Sequence, residues 1–168
     1  MENLRGSEKI YNVLKELNID FEYHEHPPAP TIEIARQYWK DLDATHCKNL
    51  FFRNHKGDRH YMVVFEHLQN LEVKALEQKL KQGKISFASD WRLEKYLNLK
   101  AGSLSPLALV NDIENHVYVF LDENLLDSKR ISFHPGINTA SIVIDFEDFK
   151  NFMNWVGNKY EFLKLYWY

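Results

Sequence analysis

A chain of 168 residues with 45% hydrophobic and 14% aromatic content can build a packed core, which excludes wholesale disorder and fits a single domain over residues 1–168. Its net charge of −3 argues against nonspecific adhesion to nucleic acid but leaves room for a local basic patch. The single cysteine excludes an internal disulfide and a cysteine-only zinc site; with no secretory leader and no apolar run of membrane-spanning length, a cytoplasmic protein is expected.

Ser7 can cap a first helix whose Ile10, Val13, Leu14 and Leu17 recur on one face. Phe21 and Tyr23 alternate with Glu22 and His24, which predicts a strand. Pro27, Pro28 and Pro30 force an extended link, and Thr31 can cap a short helix from Ile32 that ends before Asp41. Leu50 to Arg53 and His60 to His67 read as a hairpin turning at Lys56-Gly57-Asp58. A helix from Glu72 carries Val73, Leu76 and Leu80 on one stripe, with Gly83 as its stop. Ile85 and Phe87 suggest a short strand, and Ser89 or Asp90 then caps a helix through Leu97. After a glycine loop comes a meander of Leu107 to Val110, Val117 to Leu121, Ile131 to Phe133 and Ala140 to Ile144. Asp145 caps a last helix bearing Phe146, Phe149, Phe152, Met153 and Val156, closed by Gly157, and Tyr160 to Tyr166 reads as one more strand. Hairpin-linked strands with interspersed helices define an α+β protein rather than a parallel doubly wound sheet.

Three segments place polar or conformationally special residues beside apolar runs. In Lys48-Asn49-Leu50-Phe51-Phe52 the lysine opens an apolar strand, where it either snorkels at a sheet edge or reaches a phosphate or developing negative charge. Alternation puts Cys47 and Asn49 on the face opposite Lys48, so a site that uses Lys48 does not use a cysteine nucleophile. In Gly102-Ser103-Leu104-Ser105-Pro106 the glycine lets backbone approach a ligand and the proline fixes the exit. This is either a plain connection or a set of amides that holds an ester carbonyl or water, with Ser103 and Ser105 adding hydroxyl contacts. In the turn from His134 to Ser141, His134 can be base, donor or structural brace, and Asn138 can meet substrate or lock its own turn.

Weaker patterns are present too. A Ser105–His134–Asp112 triad can be written down, but nothing in the spacing brings it together. His24 and His26 share a strand face without a further metal-ligand pattern. Lys48, Arg53, Lys56 and Arg59, with three histidines and only Asp58 opposing them, form either a solvated hairpin or a footprint for one RNA end. Arg36 and Lys40, four apart on the second helix, either contact phosphates together or form an ordinary exposed face.

The three segments, in this order, resemble the prolyl-tRNA editing family, which includes the YbaK-type deacylases, the insertion domain of bacterial prolyl-tRNA synthetases and the free-standing ProXp-ala or PrdX-type proteins. The resemblance runs from about Ser7 to Gly157, and the stretch Lys48 to Tyr61, KNLFFRNHKGDRHY, is most similar to the ProXp-ala or PrdX branch. It implies a strongly curved, mixed, mostly antiparallel, barrel-like sheet with helices outside. It also implies hydrolysis of the ester joining a wrong amino acid, foremost alanine, to proline tRNA, without metal or organic cofactor. The implied catalytic set is Lys48, Gly102, Ser103, Pro106 and His134. Thr31, Asn49, Leu104, Ser105, Asn138 and Thr139 would hold the substrate, and Arg36, Lys40, Arg53 and Lys56 the tRNA. Phe51, Phe87 and Leu104 either narrow that pocket or fill the core. The implied partners are the acceptor end of tRNA(Pro) and, transiently, prolyl-tRNA synthetase. Cysteine or serine specificity on the same fold, and a tRNA-binding regulator without turnover, are the competing expectations.

Overall fold

The computed structural model describes residues 3–28, 32–39 and 43–166. Ser7 caps the first helix, α1 (Glu8–Glu16), by accepting from the Ile10 amide at 3.3 Å, and α1 buries Ile10, Tyr11, Val13 and Leu14. Then follow β1 (Glu22–Glu25), α2 (Ile32–Trp39), β2 (Thr45–Asn54), β3 (His60–Glu66), α3 (Val73–Leu80), β4 (Ile85–Phe87) and α4 (Asp90–Leu97). The chain ends with β5 (Val117–Asp122), β6 (Arg130–Phe133), β7 (Ala140–Asp145), α5 (Phe146–Val156) and β8 (Tyr160–Leu163).

The sheet is mixed and runs β1-β7-β6-β2-β3-β5-β8, with β4 paired to β2. Pairs β1/β7, β2/β3, β2/β4 and β6/β7 are antiparallel, whereas β2/β6, β3/β5 and β5/β8 are parallel. Among the described residues the path has two ends and does not close on itself. The expected meander is corrected accordingly: β6 and β7 form a hairpin, but β5 lies between β3 and β8. Leu107 to Val110 is not a strand. It belongs to a 3-10 helix, Pro106–Asn111, because Pro106 presets φ at its first position and the Ser105 hydroxyl takes the Leu107 amide at 3.0 Å. β2 begins at Thr45, so Lys48 sits within the strand rather than at its mouth. The α3 helix stops at Lys81, which adopts the left-handed conformation, before Gly83 is reached.

Side-chain alternation divides the strands between two cores. Phe51, Met62, Val64, Val119 and Ile142 face a larger core closed by α1, α4, α5 and the 3-10 helix. Phe52, Val63, Phe65 and Phe120 face a smaller one covered by Leu76 and Leu80 of α3 and by Leu165. Buried on both faces, β3 therefore reads as the unbroken run Met62-Val63-Val64-Phe65.

A polar relay crosses the turn end of this hairpin. Asn54 builds the turn by accepting from the Asp58 and Arg59 amides, and His60 beside it is fully buried. Arg92 of α4 donates through Nη1 to the Gly57 carbonyl and to His60 Nε2, both at 2.9 Å. A guanidinium can only donate, so His60 carries its proton on Nδ1 and passes it in a hydrogen bond to His116 Nε2 at 2.8 Å. Burial, with the facing His116 and Arg92, pushes the His60 pKa from 6.5 down to about 4. An unfolded chain therefore takes up a proton that the folded one refuses, and stability present above about pH 6.5 is lost as pH falls. We expect the unfolding free energy to decline between pH 6.5 and about 4, and the His60 ring to titrate in NMR well below the free imidazole; a midpoint near 6.5 would contradict this assignment.

Candidate active site

The pleat of β2 sends Cys47, Asn49 and Phe51 toward the larger core and Lys48, Leu50 and Phe52 to the opposite face. Cys47 is buried and its thiol pKa is pushed up by that burial, which leaves it a core residue. The Lys48 ammonium donates to Asn70 Oδ1 at 2.8 Å and to the Gln69 carbonyl at 3.2 Å, in the connection between β3 and α3. His67 closes the same corner. Its Nδ1 accepts from Arg36 Nε at 3.0 Å while its carbonyl accepts from Arg36 Nη2 at 2.9 Å, so the proton of the neutral ring is on Nε2. Burial first, then the charges of Arg36 and Lys48, lower the His67 pKa. The His46 ring, two residues before Lys48 on the same face, lies edge-on to His67 with centroids 6.1 Å apart.

A second group of polar side chains gathers where β6 turns into β7. His134 Nδ1 donates to the Ala140 carbonyl at 2.8 Å, and burial lowers its pKa against the opposing effect of that bond, so it is a neutral ring at neutral pH. Beside it, His26 donates through Nδ1 to the Pro27 carbonyl at 3.0 Å and accepts at Nε2 from the Ser141 hydroxyl at 2.9 Å. The His26 amide also donates to the Thr139 carbonyl at 3.0 Å. The two imidazole centroids are 5.9 Å apart, and the Tyr38 ring stands 5.9 Å from His26.

Helix α2 ties the two groups together. Its Arg36 clamps His67 beside Lys48, and its Tyr38, 41% exposed, reaches His26 beside His134. The eight-residue helix thus spans one polar face from the lysine to the histidine corner. The third segment arrives at the corner's edge. A Cβ added at Gly102 (φ 87°) would lie 3.5 Å from Asn138 Nδ2, so the asparagine side chain stands beside this position. The corner is held from behind by α1: the Ser7 amide donates to the Pro135 carbonyl at 2.8 Å, and a Cβ at Gly136 (φ 86°) would come within 2.9 Å of Ser7 Cβ.

The expected site residues divide accordingly. Lys48, Arg36, His134, Thr139, Asn138 and Gly102 fall along this face and its edge. The rest of the loop turns away: Leu104 packs on the larger core, Ser105 and Pro106 are buried, and Ser103 is only 5% exposed. Lys48 thus points to the face opposite the larger core, whereas the Leu104 side chain packs on that core. Asn49 points away from Lys48, and its buried Oδ1 has no hydrogen-bond partner among the described residues. Phe51 is core, whereas Phe87 is 58% exposed and stacks on Phe52. Arg53 bonds the His55 carbonyl, and with Lys56 it sits at the turn end of the hairpin, five strand residues or about 17 Å from Lys48 at roughly 3.4 Å per residue. Thr31 and Lys40 lie outside the described residues.

The triad Ser105–His134–Asp112 does not form. Ser105 caps the 3-10 helix, and the Asp112 carboxylate takes the amides of His116 and Val117 and the Asn158 side chain. His26 has both ring nitrogens engaged, and His24 bonds Glu22, so this pair is not a metal clamp. Sequence reading missed His26, His46, His67, Ser141 and Tyr38 as members of the face. The usable signal was polar residues at alternating positions of otherwise apolar strands, Ser141 before Ile142 and His46 before Cys47.

Comparison with known proteins identifies the family and the fold. Residues 26–152 match the aminoacyl-tRNA editing domain, and the chain belongs to that family. It is 37% identical over 163 residues, covering 97% of this chain and 99% of the other, to the prolyl-tRNA editing protein ProX of Acetoanaerobium sticklandii. It is 30% identical over 162 residues, 92% of this chain and 95% of the other, to prolyl-tRNA synthetase associated domain-containing protein 1 of Mus musculus. Among solved structures, the hypothetical protein APE2540 superposes with a TM-score of 0.70 at 16% identity over 93% of this chain and 99% of its own. A candidate trans-editing enzyme for prolyl tRNA synthetase superposes with a TM-score of 0.66 at 19% identity, over 95% and 99%. These last two likenesses establish the fold.

The clamp on His67 is open to a direct check. Arg36→Ala removes both a nearby positive charge and part of the cover over the ring, so the His67 midpoint measured by NMR should move up toward that of a free imidazole. An unmoved midpoint would show that Arg36 does not control this ring.

Proposed function

We propose that this protein is a trans-editing deacylase that hydrolyses mischarged tRNA(Pro), with Ala-tRNA(Pro) as its principal substrate. The observation that carries the reading is the single polar face on which α2 links Lys48 and His67 to His26 and His134. Membership of the aminoacyl-tRNA editing family and the similarity to a prolyl-tRNA editing protein support it.

The chemistry asks little of a protein base. An aminoacyl ester is already activated, and the neighbouring ribose hydroxyl can assist, so placement and charge stabilisation suffice. Lys48 supplies the mobile positive charge. Its present partners, an amide oxygen and a carbonyl, are neutral acceptors that a phosphate or a developing oxyanion displaces. His134 and His26, each donating a ring proton to a backbone carbonyl, act as fixed walls of the site. Asn138 and Gly102 form the rim that receives the terminal nucleoside or the aminoacyl group. Tyr38 and Arg36 on α2 meet the acceptor end.

The need for such an enzyme follows from binding energies. A synthetase pocket shaped for proline discriminates against a smaller apolar side chain by only about 1–3 kcal/mol per methylene. A second site that admits the smaller residue and rejects the ring corrects the difference. The protein would then work where aminoacyl-tRNA is made, in the cytoplasm and in transient company with prolyl-tRNA synthetase. It would need neither metal nor organic cofactor.

In single-turnover deacylation of purified Ala-tRNA(Pro), Lys48→Ala should slow release of alanine by about 10²–10³-fold, the range for losing one charge-stabilising donor. Its folded NMR spectrum should be retained. Wild-type rates in this variant would remove Lys48 from the mechanism. The same assay with seryl-, cysteinyl- and prolyl-tRNA(Pro) should rank alanine first and leave proline intact; faster release of cysteine or serine would reassign the substrate, and tRNA binding with no release at all would leave a regulator.

A further inference from the structure

At the end of the hairpin opposite Lys48, the chain has a polar cavity of about 460 Å³, in the range of about 300–1,000 Å³ typical of small-ligand sites. Arg59, Gln82, Asn115, His116 and Lys159 line it, with Asp58 as the acidic member. Asp58 is tied to its own turn: its carboxylate accepts from Asn54 Nδ2 at 2.7 Å, and that bond, aided by Lys56 and Arg59, keeps its pKa lowered. The Lys159 ammonium is poised 4.6 Å from the centroid of the Tyr118 ring and is not paired with a carboxylate among the described residues. Arg59 likewise forms no ion pair among them.

The buried relay behind the cavity fixes what its histidine offers. Arg92 donates to His60, and His60 donates to His116 Nε2, so the remaining ring proton of His116 is on Nδ1. Tyr96 stacks on His116 at 4.3 Å with 7° between the planes and holds that ring in place. The lining thus offers a guanidinium, an ammonium, two side-chain amides and an imidazole N–H, against one carboxylate, Asp58, that its own turn engages. Donors converging from a preorganised wall with two cations recognise a tetrahedral oxyanion.

We infer that this cavity is a binding site for a phosphate group, distinct from the face that carries Lys48. That the phosphate belongs to the backbone of the tRNA acceptor arm rests on the editing function proposed above; that the cavity takes phosphate does not. The separation of about 17 Å, five strand residues at roughly 3.4 Å each, suits a second contact a few nucleotides from the reacting end.

The test uses the full chain and the double variant Arg59→Gln/Lys159→Gln, in which both substituted side chains are exposed. Two probes are applied: inorganic phosphate, followed by the His116 ring and Asn115 side-chain NMR signals, and uncharged tRNA(Pro), followed by equilibrium binding across a salt series. We expect saturable shifts with phosphate that disappear in the variant. With tRNA we expect several-fold weaker binding and a salt-dependence slope shallower by about 1–2, as for loss of one or two phosphate contacts. Single-turnover deacylation at saturating protein should be unchanged. Phosphate shifts with unaltered tRNA affinity and slope would keep the site but give it to a free phosphate compound. Absence of both responses would overturn the inference, leaving Arg92, His60 and His116 as a brace between α4 and the sheet. Should the wild-type protein fail to deacylate or bind tRNA, the phosphate titration still decides the site.

Discussion

One strand, Thr45–Asn54, must satisfy two packed faces at once, and the candidate site follows from how its side chains divide between them. A pleated strand offers no intermediate choice: a side chain is on one face or the other, and a shift of one residue would exchange them all. With Phe51 committed to the larger core and Phe52 to the smaller, Lys48 must lie on the face of the smaller core and Cys47 on the face that α1 and α5 exclude from water. Register with β3 and β6 extends the division, since Lys48 pairs with Phe65 and His46 with Ser132.

Polar groups placed on such a face need partners, because an unbonded polar atom away from water costs roughly 1–3 kcal/mol. His26, His67 and His134 find them in backbone carbonyls, a hydroxyl and a guanidinium, and each partner fixes which ring nitrogen holds the proton. Burial then keeps His67 and His134 neutral. The outcome is a face on which the neutral, directional rings of His67 and His134 stand beside two cations, Arg36 held on His67 and Lys48 on neutral oxygens it can exchange. A site for an ester attached to a polyanion benefits from that division of labour: a mobile charge follows the phosphate or oxyanion, and rigid neutral groups set the shape.

Most elements were legible because local rules and tertiary packing agreed. Ser7 before an apolar stripe, Asp145 before Phe146 and Gly157 after Val156 each mark an end that the structure keeps. The readings that failed were those in which local pattern underdetermines pairing. Leu107-Ala108-Leu109-Val110 is as apolar as a buried strand, and only the Ser105 and Pro106 start signal separates it from one. The placement of β5 between β3 and β8 depends on long-range parallel contacts that no short window contains. At the site, Lys48, His134 and Asn138 could be named from the sequence, whereas His26 and His67 gain their meaning from α2, which brings Tyr38 to one and Arg36 to the other. The loop after Gly102 was read as one unit, but its residues separate at the edge of the sheet: Gly102 faces Asn138 and Leu104 joins the core.

The distribution of charge shows how a chain of net charge −3 would meet RNA under the proposed function. Fields from exposed charges decay over about 8 Å at physiological ionic strength, so a nucleic acid senses the cations beside it rather than the sum over the protein. Lys48 and Arg36 stand at one end of the β2/β3 hairpin, and Arg53, Lys56, Arg59 and Lys159 cluster at the other, about 17 Å away at roughly 3.4 Å per residue. Two local patches at that spacing favour a ligand with phosphates at both places over short anions that reach only one. Under the proposed function, selectivity for an extended, charged end would arise from this geometry without a strongly basic protein.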